Sequence, residues 1–275
     1  MKLAHVRENK ASVFFASDNT SVWGRIPESY SWGSVLEMAM TTDGRSYLRQ
    51  NAETNAVKEL DLKKAAPISV EKADIWGAGL NYRQHSTDLG TSQPSGAPGS
   101  YLRPSGCLLN NGETIRLPAQ SNRVTAEAEL GLVIGRTAKN VGEKDWRRVV
   151  VGLTAVLDLT AEDAIRENPR HIPWAKGFDS FCSIGPLLVT LDEFTDESIS
   201  NIQVSTIRNH EVVASAQVSA TKFGIGRLVE YFTAGRTLVP GTVICTGTPG
   251  AAVISAGDLM TAEVAGVGVL SHPIG

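Results

Sequence analysis

One stretch of the chain, VTAEAELGLVI at residues 124–134, constrains the fold more than any other. An apolar side chain occupies every second position from Val124 to Ile134, which is the period of a β-strand. A second apolar run, VVVGLTAVL at residues 149–157, contains no charge and predicts another strand over 151–157. Both runs are much shorter than the roughly 18 apolar residues that a membrane helix needs. They therefore predict sheet structure and no membrane segment.

Carboxylates interrupt this apolar pattern in both predicted strands. Glu127 and Glu129 share the second face of the first strand, with Cα atoms about 7 Å apart. They are either a solvated pair or buried ligands, and Gly131 and Val133 on the same face favour burial. Asp158 directly follows the second apolar run. It is either a turn residue at the strand end or a buried anion that another group must compensate.

Three carboxylates that converge in this way would suit a hard divalent cation. Mg²⁺ takes oxygen ligands and leaves positions for water and for substrate oxygens. The histidine and cysteine spacings that are typical of zinc sites are absent. Lys176, in the segment WAKGFDSF, is interpreted either as a surface lysine or as a buried cation that faces the carboxylates.

Two further segments carry candidate functional groups. His85 and Asp88 would be neighbours on one helical turn, and a histidine paired with a carboxylate is a candidate general base. Such a pair is also commonly incidental. In the segment CTGTPG, Thr246, Gly247 and Thr248 offer hydroxyls and an amide to an anion, or they simply end a strand with a turn.

The rest of the chain is strand-rich and lacks the regular strand–helix alternation of Rossmann and TIM folds. Further strands are predicted near residues 5–6, 13–15, 22–23, 74–80, 187–190, 202–208, 243–246 and 260–264, and helices near 35–40, 145–150, 160–168 and 225–233. Thr160 is predicted to cap the third helix. Residues 90–106, rich in Gly, Pro and Ser, predict a mobile loop that is a poor core element.

The expected fold class is α+β, mostly β, with a small N-terminal domain at 1–70, a boundary near Pro67, and a catalytic domain at 71–275.

Composition narrows the class of protein. Hydrophobic residues make up 42% of the chain and charged residues 20%, which excludes an intrinsically disordered protein. The net charge is −3 and no long basic run occurs, so nucleic acid is not an expected partner. The N-terminus lacks an apolar signal core and the three cysteines are widely spaced, so a cytoplasmic location is expected.

Taken in chain order, several segments resemble the fumarylacetoacetate hydrolase family over roughly residues 73–275. These segments are GAGLNYRQHSTDLG (77–90), YLRPS (101–105), EAELGLVIGRTAKNV (127–141), LDLTAED (157–163), KGFDSFCSIGP (176–186) and TGTPG (246–250). The resemblance implies a mixed β-roll catalytic domain that is usually dimeric. It also implies one Mg²⁺ or Mn²⁺ ion held by Glu127, Glu129 and Asp158.

The same resemblance implies roles for the other candidate residues. Lys176 would lie beside the metal, and His85 with Asp88 would form a catalytic pair on a closing lid, residues 83–106. Substrate binding is assigned to Tyr82, Arg103 and Thr248. This sequence departs from the usual family pattern at several of these places: Asp88 stands where glutamate is commoner, Arg103 where lysine is usual, and Glu162 where arginine is common.

Members of the family cleave carbon–carbon bonds of β-diketones and acylpyruvates, or decarboxylate or tautomerise related 2-oxo acids. The expected function is therefore a Mg-dependent hydrolase that cleaves a carbon–carbon bond of a β-diketone or acylpyruvate-type 2-oxo acid. In that reaction the His85–Asp88 pair would deprotonate the attacking water. The alternatives are a 2-oxo acid decarboxylase or keto–enol tautomerase or isomerase of the same family, or a catalytically silent member.

Overall fold

The structure is a computed structural model that describes residues 1–8, 11–18, 22–57, 60–66 and 73–275. Within these ranges the strands are β1 (Lys2–Glu8), β2 (Ala11–Ser17), β3 (Trp23–Arg25), β4 (Ala56–Val57), β5 (Ile75–Gly79), β6 (Gly99–Arg103), β7 (Val124–Ile134), β8 (Val150–Ala161), β9 (Cys182–Thr190), β10 (Gln203–Arg208), β11 (Glu211–Gln217), β12 (Val243–Cys245), β13 (Ala251–Ile254), β14 (Leu259–Val264) and β15 (Gly268–Pro273). The helices are α1 (Trp32–Ala39), α2 (Thr42–Thr54), α3 (Arg83–Asp88), α4 (Glu162–Glu167), α5 (Ile172–Ala175), α6 (Asp196–Ser200) and α7 (Ile225–Thr233). The mixed, mostly-β fold class is confirmed.

The strands form two sheets. The larger, eleven-stranded sheet has the order β4-β3-β2-β1-β9-β8-β7-β12-β5-β6, and β13 pairs with β7 beside that path. The smaller sheet has the order β11-β10-β14-β15. The two sheets meet at the middle of β7, where the amide of Ala128 donates to Thr206 Oγ1 on β10 at 3.0 Å.

Strands β7 and β8 form the centre of the fold. Every residue of both strands is buried, on both faces of the sheet. The predicted alternation is therefore present along β7, but its second face is covered rather than solvated. Carboxylates on that face are consequently enclosed by protein.

The N-terminal strands continue the large sheet. Strand β1 pairs with β9 through Lys2–Val189 and Leu3–Leu188. The same hydrophobic cluster contains Leu3 and Leu188. A small, separate N-terminal domain is thus not confirmed, and the division at residue 70 stays a prediction. Pro67, where the boundary was expected, lies outside the described residues.

Several predicted elements differ from the structure. Residues 90–106 are not entirely a loop, because β6 pairs with β5 along Gly99–Arg103. Strand β8 continues to Ala161, so Thr160 does not cap a helix, and α4 begins at Glu162. Strand β15, which pairs with β14, was not predicted. None of the helices in the described ranges has the length and apolar character that crossing a membrane requires.

Candidate metal centre

Three carboxylates meet where β7 and β8 run side by side. Glu127 and Asp158 are direct cross-strand partners, and Glu129 lies two residues further along the same face of β7. Each offers an oxygen atom, and these atoms all lie within 4.8 Å of one another. The solvated alternative for the glutamates is wrong, because Glu127 is 9% exposed and Glu129 is 2% exposed. Asp158 is not a strand-end turn residue either, because it lies inside β8 and is fully buried.

Glu129 is the carboxylate with the least compensation. Burial is the main reason why the pKa of Glu129 is raised to about 8. The negative charge of Asp158 is the second reason. The amide of Gly247 donates to Glu129 Oε2 at 2.6 Å and partly offsets this effect. Gly247 is required at this place, because its φ is +95° and a Cβ atom there would lie 2.9 Å from the Cβ of Asn81.

Asp158, in contrast, is surrounded by donors. Lys176 Nζ donates to its Oδ1 at 2.6 Å, Arg103 forms an ion pair with the same oxygen, and the Tyr101 hydroxyl donates to Oδ2. Burial alone would raise the pKa of Asp158, but the charges of Arg103 and Lys176 hold it below its usual range. Asp158 is therefore an anion in this buried site.

The sequence allowed two interpretations of Lys176, a surface lysine or a buried cation. The structure shows the buried cation. It follows α5 directly and is 6% exposed. Besides Asp158, its ammonium donates to Thr160 Oγ1 at 2.7 Å, and it lies 3.9 Å from Glu127 Oε2. Thr160, predicted to cap a helix, instead points to this ammonium from β8.

His85 and Asp88 both lie on α3, but no hydrogen bond or ion pair joins them in the described part of the chain. His85 is 6% exposed, and its Nε2 lies 3.6 Å from Glu127 Oε1. Its Nδ1 is buried and has no hydrogen-bond partner. Asp88 is exposed. The structure thus brings His85 to the carboxylates and leaves the predicted pairing with Asp88 unformed.

The three residues predicted to bind substrate are all buried, in different surroundings. The Tyr82 hydroxyl has no hydrogen-bond partner, and burial followed by the charge of Glu129 raises the pKa of Tyr82. Thr248 Oγ1 donates to the carbonyl of Gly250 at 3.1 Å, so this hydroxyl closes a turn. Arg103 is 3% exposed, and its guanidinium forms an ion pair with Asp158. Their contact with substrate stays a prediction.

Tyr101 was not among the predicted site residues. Its hydroxyl contacts Asp158 and lies 3.4 Å from Glu129 Oε1, and its ring lies 4.6 Å from Lys176 Nζ. The sequence placed Tyr101 in a loop of small residues, where a buried phenol is not expected. Leu102 is exposed between the buried Tyr101 and Arg103, the reverse of an apolar-in and polar-out pattern, so the sequence carried no signal for this strand.

The donors fit a hard divalent cation. All three candidate ligands are carboxylates, and Mg²⁺ and Mn²⁺ prefer oxygen donors. Ligand oxygens about 2.0–2.2 Å from one ion lie up to roughly 4.4 Å apart, which is compatible with the observed 4.8 Å limit after a small contraction. The charge of such an ion would also compensate Glu129, which protein groups compensate least.

Comparison with known proteins finds related sequences and structures that cover most of this chain. Residues 74–275 match the family model described as fumarylacetoacetate (FAA) hydrolase C-terminal. The mitochondrial oxaloacetate tautomerase of Xenopus laevis is 32% identical over 248 residues, which cover 87% of this chain and 76% of that protein. Maleylpyruvate hydrolase of Aquipseudomonas alcaligenes is 31% identical over 226 residues, which cover 78% and 76% of the two chains. A solved structure, 5-carboxymethyl-2-hydroxymuconate delta-isomerase from Mycobacterium smegmatis, has a TM-score of 0.76 at 28% identity and covers 100% of this chain and 98% of that chain.

Proposed function

This chain belongs to the fumarylacetoacetate hydrolase family, and on that premise we propose that it is a divalent-metal-dependent hydrolase. Its substrate would be a β-diketone or an acylpyruvate-type 2-oxo acid, in which it cleaves a carbon–carbon bond. The observation that carries this proposal is the convergence of Glu127, Glu129 and Asp158 beside the Lys176 ammonium. Three oxygen donors and one buried cation are suited to a substrate that carries adjacent carbonyl and carboxylate oxygens.

Mg²⁺ or Mn²⁺ is the proposed cofactor, with Glu127, Glu129 and Asp158 as its ligands. When bound, such an ion supplies positive charge that stabilises negative charge on the substrate oxygens. Lys176 would add to that effect. Two of its three N–H donors bind Asp158 and Thr160, so the third is available to a substrate oxygen.

His85 is the proposed general base. Its Nε2 lies 3.6 Å from Glu127 Oε1, so a water molecule beside the carboxylates would be within reach, and this nitrogen would accept its proton. In the neutral ring Nδ1 then carries a proton, and that N–H has no acceptor in the structure. Asp88, one helical turn away on α3, would become the acceptor if its side chain turns toward Nδ1 on substrate binding. The unpartnered Tyr82 hydroxyl is available to bind a substrate oxygen.

A second candidate is a 2-oxo acid decarboxylase or a keto–enol tautomerase that uses the same metal site. The unformed contact between His85 and Asp88 favours it, because neither reaction needs an activated water. A related oxaloacetate tautomerase covers most of this chain at 32% identity. A catalytically silent member remains the third alternative.

Turnover of a panel of acylpyruvates and of oxaloacetate, with Mg²⁺ or Mn²⁺, separates these alternatives. For the hydrolase, acylpyruvates are cleaved and His85→Ala lowers turnover by about a hundredfold or more, since general bases contribute roughly 10²–10⁴-fold. For the decarboxylase or tautomerase, oxaloacetate reacts; in the decarboxylase much activity survives in His85→Ala, because a metal-stabilised enolate needs no activated water. His210→Ala, in the exposed turn between β10 and β11, is the matched control. Absence of turnover with both substrate classes would contradict an enzyme and favour the silent member.

The proposed partner is a small 2-oxo acid or β-dicarbonyl substrate. We also propose a homodimer and a cytoplasmic location. The dimer rests on the family resemblance, and the location rests on the composition of the sequence.

A further inference from the structure

Strand β6 brings two side chains to one face, and both reach the same carboxylate. Tyr101 and Arg103 are two residues apart and buried, whereas Ser100 and Leu102 between and beside them are exposed. The Tyr101 hydroxyl donates to Asp158 Oδ2, and an Arg103 terminal nitrogen binds Asp158 Oδ1. The sequence predicts this segment as a mobile loop. In the structure, two of its side chains bind the candidate metal ligand Asp158 as donors.

Both terminal nitrogens of Arg103 are fully used as donors, and only its Nε has no partner. One terminal nitrogen binds the carbonyls of Lys176 and Phe181, the latter at 3.0 Å. The other binds Asp158 and donates to the carbonyl of Leu159 at 2.7 Å. The planar guanidinium is therefore fixed by backbone groups on both sides, and it holds Oδ1 of Asp158 in one place.

Counting the donors around Asp158 shows which oxygen remains open. A carboxylate offers about four acceptor positions on its two oxygens. Arg103 and Lys176 both bind Oδ1 and fill that atom. Tyr101 binds Oδ2 and leaves one position there. Oδ2 is accordingly the oxygen that can serve a metal ion.

The backbone opposite Tyr101 is shaped to admit the phenol. Gly77 on β5 is its direct cross-strand partner. A Cβ atom at Gly77 would lie 2.0–2.5 Å from the outer atoms of the Tyr101 ring, which no packed side chain tolerates. At Gly79, on the same strand, an added Cβ would meet nothing within 4 Å. The requirement for glycine is thus local to the position that faces Tyr101.

From these contacts we infer that Tyr101 and Arg103 are positioning residues for the metal site, which direct Oδ2 of Asp158 toward the ion as a single ligand atom. The inference rests on the proposed function, because it requires that Asp158 binds a metal. Arg103 is thereby given a role other than substrate binding.

The effect of removing the phenol follows from the competition around Asp158. Without the Tyr101 hydroxyl, no donor among the described residues holds Oδ2. The carboxylate can then rotate and pair its second oxygen with Arg103 Nε, the guanidinium donor that has no partner, because arginine favours bidentate contact with carboxylates. Such a rotation moves Oδ2 from the position at which the Tyr101 hydroxyl holds it. Outer-shell partners of metal ligands typically contribute roughly 10–100-fold to metal affinity.

The test is the dissociation constant of Mn²⁺, measured by titration calorimetry on metal-stripped protein. Tyr101→Phe, which removes only the hydroxyl, should bind Mn²⁺ at least about tenfold more weakly than the unsubstituted chain. Tyr231→Phe is the matched control, because its hydroxyl lies 3.4 Å from Ser100 Oγ on the opposite face of the same strand. A second pair of variants tests the space that Gly77 leaves for the Tyr101 ring. Gly77→Ala should weaken Mn²⁺ binding and Gly79→Ala should not.

The outcomes separate this inference from the proposed function. Weaker binding in Tyr101→Phe and Gly77→Ala, with normal binding in the two controls, supports the inference. If the unsubstituted chain binds Mn²⁺ and Tyr101→Phe binds it less than tenfold more weakly, a purely structural tyrosine is indicated and the inference is overturned. If Tyr101→Phe does not fold, the Gly77→Ala and Gly79→Ala pair decides by the same criterion. Failure of the unsubstituted chain to bind Mn²⁺ would overturn the proposed metal site and this inference together.

Discussion

Asp158 is a fully buried anion, and its neighbours explain how the fold tolerates it. An uncompensated charge inside a protein is costly, whereas a charge with cationic and hydrogen-bonding partners is accepted. Lys176 and Arg103 supply the cations and Tyr101 supplies a further donor. Glu129 lacks a cation in direct contact, and burial raises its pKa to about 8. The site therefore has a place for one additional positive charge beside Glu129.

Substitution of Lys176 tests the role of the ammonium directly. Lys176→Met should keep Mn²⁺ binding, because the three carboxylates remain and Arg103 still pairs with Asp158. Turnover should fall at least about tenfold, which corresponds to about 1.4 kcal/mol of transition-state stabilisation. Steady-state kinetics on the preferred substrate measures this, with the exposed Lys139→Met as control. Unchanged turnover in Lys176→Met would show that the ammonium serves only the packing of Asp158.

At the residue scale the sequence predicted the charged groups better than their partners. Period-two spacing indicated that Glu127 and Glu129 share a face, and an uncharged run indicated that Asp158 is buried. Tyr101 and Arg103 could not be assigned in this way, because their surroundings depend on the pairing of β6 with β5 and on the carbonyls of residues 159, 176 and 181. Those neighbours are distant in the sequence.

Among the elements, the register between β7 and β8 determines the site. Glu127 faces Asp158 directly, and a shift of one residue would move either carboxylate to the opposite face of the sheet. The strong apolar pattern on both strands fixes that register. Helix α3 lies outside the sheet, and side-chain hydrogen bonds hold the segment after it: Gln93 Nε2 donates to the Asn81 carbonyl at 3.0 Å and Lys222 Nζ to the Pro94 carbonyl at 2.7 Å.

Hydrogen exchange should divide the predicted lid into two parts. Residues 83–98 have few buried apolar groups, so we expect fast exchange without ligand and slower exchange with Mg²⁺ and oxalate, an enolate mimic. The amides of β6 that pair with β5 should be protected in both states, because they belong to the large sheet. Equal, strong protection of residues 83–98 in both states would show that α3 does not move and would contradict the predicted closing lid.

Elements with a clear apolar period were predicted, and elements without one were missed. The helix at Ile225–Thr233 is confirmed, since its apolar residues lie on one face. Helix α2 was missed because Leu48 is the one fully buried residue that it contributes, although Thr41 caps it by accepting from the Gly44 amide. Strand β6 was missed because glycine, proline and serine dominate the residues around it.

On the scale of the whole molecule, one sheet connects the N-terminal strands to the metal centre. Strand β1 pairs with β9, β9 with β8, and β8 carries Asp158. The sequence suggested a separate domain because residues 1–70 lack the long apolar runs of the centre. Pairing between β1 and β9 joins residues almost two hundred positions apart, and no local pattern indicates such a contact.

A homodimer is expected in solution. Light scattering at micromolar concentration should therefore give twice the 29.4 kDa mass of one chain. The apolar residues that remain exposed on β11, Val212 and Val213, are compatible with a further contact surface. A mass equal to a single chain would contradict the dimer and leave the metal site unaffected.

Binding of Mn²⁺ tests the central claim most directly. Titration of metal-stripped protein, followed by the loss of the free-ion signal in electron paramagnetic resonance, should give one saturable site per chain. The site should be lost in Glu129→Gln, which removes a ligand and relieves repulsion from Asp158 without unfolding the chain. Glu263→Gln, on β14 of the smaller sheet, should bind normally. Saturable binding that is equally strong in Glu129→Gln, or no saturable binding to the unsubstituted chain, would contradict a metal centre at Glu127, Glu129 and Asp158.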